Sequence, residues 1–257
     1  MAILVIKCGG SIIENLSGAF FESIKELQKE GYHIIFVHGG GPDINLMLEK
    51  SGIVPAFKNG LRVTSEEVFN IAELMLSGKS NRCLVHKLES CGIQTVGING
   101  SDAGILTGSP IDESSLGAVG NVEKVNTELL QLLFERGYCP VLTPISSDGS
   151  GGKLNVNADL AAGAVAKELR AETCIFVSDV PGVMKNGQII EELNRDEAHA
   201  LIQSGEVTGG MIPKVNTALA VLDNGIENVM IASGQTAFYR NGAFTGTKFI
   251  NEKRVLH

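Results

Sequence analysis

The chain alternates short, wholly apolar runs with longer amphipathic stretches. Ile3-Leu4-Val5-Ile6 breaks off at Lys7-Cys8-Gly9-Gly10-Ser11, and Ile34-Ile35-Phe36-Val37 breaks off at His38-Gly39-Gly40-Gly41-Pro42. Runs of this length closed by glycine read as buried parallel strands. The same signal predicts strands over Ala2–Ile6, Ile34–Val37, Gln94–Ile98, Pro140–Thr143, Thr173–Val177 and Asn228–Ala232. Helical spacing predicts helices over Ala19–Glu30, Asp43–Lys50, Glu66–Leu76, Asn81–Ser90, Asn126–Arg136, Leu160–Leu169, Asp196–Ser204 and Lys214–Asn224. Strands alternating with helices favour a mostly parallel sheet covered on both faces. Two stretches break the rhythm. Residues 100–123, rich in Gly, Ser and Asp, predict hairpins or a loop near a site, and Asn186-Gly187 between Met184-Lys185 and Gln188-Ile189 predicts a two-residue hairpin. With no Pro- or Ser-rich linker, a lobe boundary falls inside a continuous sheet, just before Thr173.

Composition narrows the class. The 257 residues are 44% hydrophobic and 19% charged, enough for one sizeable domain or two lobes. No run approaches the roughly 18 apolar residues of a membrane span. A start directly in a strand, without a basic and apolar leader, predicts a cytoplasmic protein. Five scattered cysteines (Cys8, Cys83, Cys91, Cys139, Cys174) without a Cys-x-x-Cys pair agree with reduced thiols. The net charge of −8 speaks against nucleic acid as a partner.

Common fingerprints are absent. Gly78-Lys79-Ser80 ends like a phosphate loop, but Glu73 stands where its first glycine belongs, so Gly78 reads as the end of a helix. Ile44 breaks a dinucleotide-binding pattern begun at Gly39. The five histidines have no metal-ligand spacing, and no metal site is expected.

Candidate chemistry gathers at the ends of the strands, where open α/β sheets bind ligands. Glycines there let backbone N–H groups approach an anion, the helix that follows adds its positive end, and Lys7 adds a full charge. Gly39-Gly40-Gly41 exceeds the one glycine a tight turn needs, and Pro42 suits the first helical position. Arg62, in Asn59-Gly60-Leu61-Arg62-Val63-Thr64, precedes a helix capped by Thr64 or Ser65. A lone arginine is usually a solvated charge, though its fork matches a carboxylate. Asn155-Val156-Asn157-Ala158-Asp159, if extended, turns both asparagines and Asp159 to one face. Asp159 is then either a helix cap worth about 1 kcal/mol or a carboxylate that holds lysines. Gly209-Gly210-Met211-Ile212-Pro213-Lys214 puts a lysine in a first helical turn, against the dipole by about 0.3–1 kcal/mol, which a bound polyphosphate would reverse. Ser178-Asp179-Val180-Pro181-Gly182-Val183 alone is an ordinary strand-to-helix turn.

Together, in this order and over essentially the whole chain, these segments resemble the amino acid kinase family. Lys-x-Gly-Gly and Ser-Asp-x-x-Gly mark the wider family. The Asn59–Thr64 and Asn155–Asp159 segments are similar to its members that phosphorylate N-acetyl-L-glutamate. The resemblance implies a three-layer α/β/α sandwich, with acetylglutamate on an amino-terminal lobe (1–172) and MgATP on a carboxyl-terminal lobe (173–257). It implies that Lys7 and Lys214 stabilise the transferred phosphoryl group and that Asp159 orients both. Gly40, Gly41, Arg62 and Asn155 would hold acetylglutamate. Gly9, Gly10, Asp179, Gly182, Val183, Met184, Gly209, Gly210 and Met211 would line the phosphate and nucleotide site. Mg²⁺ would ride on the ATP phosphates. Cys8 departs from the aliphatic residue common there and raises thiol sensitivity as a question. The implied product is N-acetyl-L-glutamyl 5-phosphate, in arginine biosynthesis. Family hexamers inhibited by arginine resemble chains with a helix ahead of the first strand, so the expectation here is a homodimer without arginine inhibition. Competing readings are a sibling kinase for another carboxylate and a non-catalytic nucleotide sensor.

Overall fold

A computed structural model describes residues 2–251. Each expected strand is present: β1 (Ile3–Cys8), β2 (His33–His38), β3 (Thr95–Asn99), β6 (Cys139–Thr143), β9 (Thr173–Ser178) and β11 (Val229–Ser233). They pair in parallel in the order β3-β6-β2-β1-β9-β11. β12 (Thr247–Phe249) adds antiparallel to β11, and β10 (Glu192–Leu193) completes the eight-stranded sheet.

The sheet is buried on both faces, which explains its unbroken apolar runs. Alternation along β1 sends Ile3 and Val5 into one cluster, with α7 (Glu128–Glu135), α8 (Ala158–Glu168), α9 (Arg195–Gln203) and α10 (Met211–Asp223). Leu4, Ile6 and Cys8 face the other, with α1 (Gly10–Ile13), α2 (Gly18–Lys29) and α5 (Asn81–Ser90). The result is the expected α/β/α sandwich. Phe20, Phe36 and Phe238 are fully buried and in ring contact on the second face, and each contributes about 1.5–3 kcal/mol.

Helix starts follow local chemistry. Ser17 caps α2 and Ser65 caps α4 (Glu66–Glu73), while Asn194 and Glu197 form a reciprocal capping box at α9. The Asn186-Gly187 hairpin forms as expected, with φ of 52° and 79° at its two turn residues.

Two expectations change. Gly78 does not end a helix: α4 runs on through a π-helical segment, Leu74–Ser80, directly into α5. A glycine signal here was outweighed by packing of Leu76 and Ser80 behind Gly40. The helix α3 (Gly41–Lys50) begins at Gly41, so Pro42 occupies its second position. For residues 100–123, expected as hairpins or a loop, the structure takes the first form, an antiparallel pair of strands. These residues supply β4 (Leu106–Pro110), α6 (Glu113–Leu116) and β5 (Val119–Val125). With β7 (Ile145–Ser147) and β8 (Lys153–Val156), β4 and β5 close a four-stranded barrel. Its strands, such as Leu106-Thr107-Gly108-Ser109-Pro110, are too polar and glycine-rich for a continuous apolar run to reveal.

Candidate active site

The strand pleat decides which side chains meet. β1 runs two residues beyond its apolar run, so Lys7 shares a face with Val5 and points toward the helix layer containing α8. Asp159 stands in the first turn of that helix, and Lys7 Nζ reaches its Oδ1 at 2.8 Å. Asn157, not Asp159, caps α8, accepting from the N–H groups of Asp159 and Leu160 at 2.8 and 3.2 Å. Freed from capping, the Asp159 carboxylate is available to the lysine.

Ser178 ends β9 on the same face as Phe176, toward α10. Lys214, the fourth residue of α10, donates to Ser178 Oγ at 2.7 Å and to Asp179 Oδ1 at 2.8 Å. Those bonds, first with Lys214 and then with Ser178, hold the Asp179 carboxyl below the usual carboxylate range. The expectation that Asp159 orients both lysines is therefore met differently: Asp159 holds Lys7, and Asp179 with Ser178 holds Lys214. A lysine early in a helix has its unfavourable dipole interaction offset by that pairing.

Both lysines and both aspartates line one cavity of about 580 Å³, beside Gly9. Two ammonium and two carboxylate groups leave it formally neutral until an anion arrives. Ser11, Asn15, Thr217 and Gln235 also line it. Ser11 belongs to the first glycine turn, Asn15 and Thr217 lie about one helical turn past Ser11 and Lys214, and Gln235 follows β11. Nothing in the local sequence distinguishes the last three from solvated polar residues.

Next to this cavity the two glycine turns touch. A Cβ at Gly10 would lie 2.8 Å from Gly40 Cα, and one at Gly40 would meet Ser80 Oγ at 2.7 Å and Leu76 Cδ2 at 2.8 Å. The π-helical segment thus presses the second turn against the first. Gly39 N–H is used on Cys8 O, at 2.9 Å. The Gly40 and Gly41 amides come ahead of the helical ladder, where N–H groups have no intrahelical acceptor.

Arg62 is not a solvated surface charge. It is 8% exposed, with Nη2 on Asn45 Oδ1 at 2.6 Å and its guanidinium 4.7 Å from the centre of the Phe57 ring. Its Nη1 is buried and has no hydrogen-bond partner among the described residues. Asn155 is tied to the same region: its Nδ2 donates to Thr64 Oγ1 at 3.3 Å, and Thr64 Oγ1 donates to Arg62 O at 2.7 Å. Asn45 and Phe57 were not legible as site residues, because their role depends on where Arg62 folds.

The remaining expected residues lie farther out. Val183 is fully buried, its N–H on Thr247 Oγ1 at 2.8 Å, so its side chain belongs to the core. Met184 begins the Asn186-Gly187 hairpin, and Gly182 packs against Thr247. Gly209 and Gly210 lead into Met211 at the start of α10, with φ of 56° at Gly209. None of these six lines the lysine cavity. Cys8 is fully buried, and burial pushes its thiol up to about 12.

A parallel α/β/α sheet that ends in paired lysines and apposed glycine turns defines an enzyme built to handle phosphate. The chain belongs to the amino acid kinase family, whose sequence model matches residues 2–233. It is 46% identical over 252 residues to the acetylglutamate kinase of Geobacillus sp. (strain WCH70), covering 98% of each chain. It is 44% identical to that of Bacillus licheniformis, again over 98% of each. Among solved structures, smu.665 of Streptococcus mutans UA159 superposes with a TM-score of 0.83 at 31% identity, covering 97% of this chain and 99% of the other.

Proposed function

We propose that this protein transfers the γ-phosphoryl group of ATP to the side-chain carboxylate of N-acetyl-L-glutamate, forming N-acetyl-L-glutamyl 5-phosphate for arginine biosynthesis. The near full-length likeness to acetylglutamate kinases supports the substrate. Within the molecule, the observation that carries the reading is the unpartnered Nη1 of Arg62. A buried charged donor left without a partner costs about 1–3 kcal/mol or more. A substrate carboxylate that accepts from Nη1 would remove that cost.

The residue types suit the reaction. The acceptor carboxylate has a pKa of about 4.3 and is ionised at neutral pH, so no general base is required. The barrier is the approach of two anions and the charge that spreads over the transferred phosphoryl oxygens. Positioning supplies at most about 7–11 kcal/mol of the reduction. Lys7 and Lys214, which line one cavity, supply electrostatic stabilisation. Asp159 and Asp179 hold the lysine heads in place beforehand. Gly40, Gly41, Arg62 and Asn155 would hold acetylglutamate on residues 1–172. Residues 173–257 would carry the nucleotide, with Gly182–Met184 and Gly209–Met211 around its base and sugar.

Members of an ATP-using kinase family need a divalent ion. Among the described residues no three His, Cys, Asp or Glu side chains converge to hold one, and Asp159 and Asp179 are each committed to a lysine. Mg²⁺ would ride on the ATP phosphates as part of the substrate, with few direct protein ligands. No described helix is long and apolar enough to cross a membrane. We further propose a cytoplasmic homodimer insensitive to arginine. Exposed Val54, Leu74 and Leu46, on adjoining segments around α3, support the dimer.

The test is ATP consumption with Mg²⁺, acetylglutamate and hydroxylamine, which traps an acyl phosphate as its hydroxamate. Glutamate, aspartate, N-acetyl-aminoadipate and UMP serve as rival acceptors. Hydroxamate with acetylglutamate alone is the expected result. Turnover only on another acceptor would retire the substrate assignment, and ATP binding without any turnover would favour a sensor.

A further inference from the structure

His38 ends β2 on the face shared by Ile34 and Phe36, opposite to Lys7, and so points toward the layer that contains α5. There it is fully buried and held on both ring nitrogens. Nδ1 lies 3.1 Å from the carbonyl oxygen of Gly39. Nε2 lies 3.1 Å from Asn81 Nδ2 and 3.3 Å from Thr143 Oγ1.

The hydrogen-bond polarity of this group can be worked out from its far end. Arg82 has only donors, and it bonds the Oδ1 of Asn81. That fixes the Asn81 amide with its NH₂ directed inward, where one hydrogen goes to Val141 O at 2.8 Å. The other faces His38 Nε2, which must accept it. The Thr143 hydroxyl can rotate to donate to the same nitrogen. The ring proton therefore sits on Nδ1 and is donated to Gly39 O. Every polar atom of the ring is satisfied in one neutral tautomer. Burial independently favours the uncharged ring, lowering its pKa to about 4.

The consequence lies in the peptide that His38 grips. In a trans peptide the C=O of one residue and the N–H of the next point in opposite directions. Anchoring Gly39 O to His38 turns the Gly40 N–H away from the imidazole, toward the side where the two glycine turns meet. Glycine at 39 and 40 leaves this plane free to rotate, so something outside the turn must set it.

We propose that His38, held in its Nδ1–H tautomer by Asn81 and Arg82, is a positioning residue that aims the Gly40 amide at the anionic acceptor substrate. This rests on the reading of the Gly39–Gly41 turn as the acceptor's anion site. It assigns a role to a histidine that no proton-transfer step requires.

Three variants separate positioning from simple support. His38→Asn keeps a donor near the position of Nδ1 and loses the contact with Asn81. His38→Gln keeps a polar atom near Nε2 and loses the donor to Gly39 O. His38→Leu loses both. With the acetylglutamate assay, His38→Gln and His38→Leu should raise KM for the acceptor about tenfold to a hundredfold, the weight of one hydrogen bond to a charged group. KM for ATP should stay within twofold, and His38→Asn should recover most of the loss. If His38→Gln recovers as well as His38→Asn, or all three leave acceptor KM unchanged, the proposal is overturned. Nitrogen shifts of His38 in the free protein give a readout that needs no substrate. A neutral Nδ1–H ring at pH 7 is expected, and an Nε2–H ring overturns the proposal. Should the wild type not use acetylglutamate, the functional reading fails separately. The variants are then compared by the Gly40 amide shift on titration with inorganic phosphate. A shift kept in His38→Asn and lost in His38→Gln supports the proposal, and equal behaviour overturns it.

Discussion

Gly10 and Gly40 lie so close that a single methyl group on Gly10 would sit 2.8 Å from the Cα of Gly40. The obstacle is backbone, with Gly40 N and C also within 3.2 Å, so no side-chain rotation can relieve it. Gly10→Ala should therefore push the two turns apart, costing about 1–3 kcal/mol of stability and nearly all activity. Gly41→Ala is the control, since a Cβ there meets nothing within 4 Å. It should leave the melting temperature unchanged, so that any loss of turnover reports contact with substrate.

Lys7 and Asp159 form a partly shielded pair, 17% and 27% exposed. Lys7→Ala should lower kcat at least about a hundredfold, as loss of a transition-state donor does elsewhere. Asp159→Asn keeps the shape and removes the charge, and should lower kcat less than Lys7→Ala while retaining folded circular dichroism. Equal and complete loss of folding in both would recast the pair as structural.

Arg62 carries a different signature. Arg62→Lys keeps the charge and loses the fork, and should raise KM for the acceptor about tenfold or more with little change in kcat. Arg62→Met should cost little stability without ligand, because losing the Asn45 bond and the Phe57 contact is offset by deleting an unpartnered buried donor. In thermal melts, acetylglutamate should then stabilise the wild type and not Arg62→Met.

Acid should weaken the fold through His38. The unfolded chain takes up a proton there below about pH 6.5, whereas the folded protein resists until about pH 4. Stability is thus present above that window and lost as pH falls through it. At 1.36 kcal/mol per pH unit the loss is about 3 kcal/mol. His33, lowered chiefly by burial, adds in the same direction. Urea unfolding of His38→Asn between pH 7 and 4.5 should show a clearly shallower slope than the wild type.

Thiol titration tests the burial pattern. Cys8, Cys139 and Cys174 are buried with thiols pushed upward, and Cys83 and Cys91 are partly exposed. A mild aromatic disulfide should react with two thiols in the native protein and five after unfolding. Rapid inactivation through Cys8 would contradict its burial.

Much of this was readable along the chain, because the deciding interactions are local. Continuous apolar runs announce strands buried on both faces, and Asn-Gly announces its hairpin. Gly-Gly after a strand announces a backbone that must approach something closely. Lys7, Asp159 and Lys214 stood out for the same reason, each a charge placed at the edge of an apolar or glycine-rich segment, whereas Arg62 and Asp179 were marked only by the family resemblance.

Partner choice was decided only in three dimensions. Asp159 serves Lys7 while Asp179 serves Lys214, because the pleat sends Lys7 toward α8 and the end of β9 toward α10. Asn45 and Phe57 became part of the Arg62 site when α3 and the Phe57–Arg62 hairpin packed together. The barrel of β4, β5, β7 and β8 and the π-helical run behind Gly40 left no periodic trace, since long-range packing stabilises both against weak local propensity. The sequence by itself determined which elements form and which residue types stand at their ends. The tertiary structure decided which of those residues touch, because strand register and face set the partner of every side chain at the edge of the sheet.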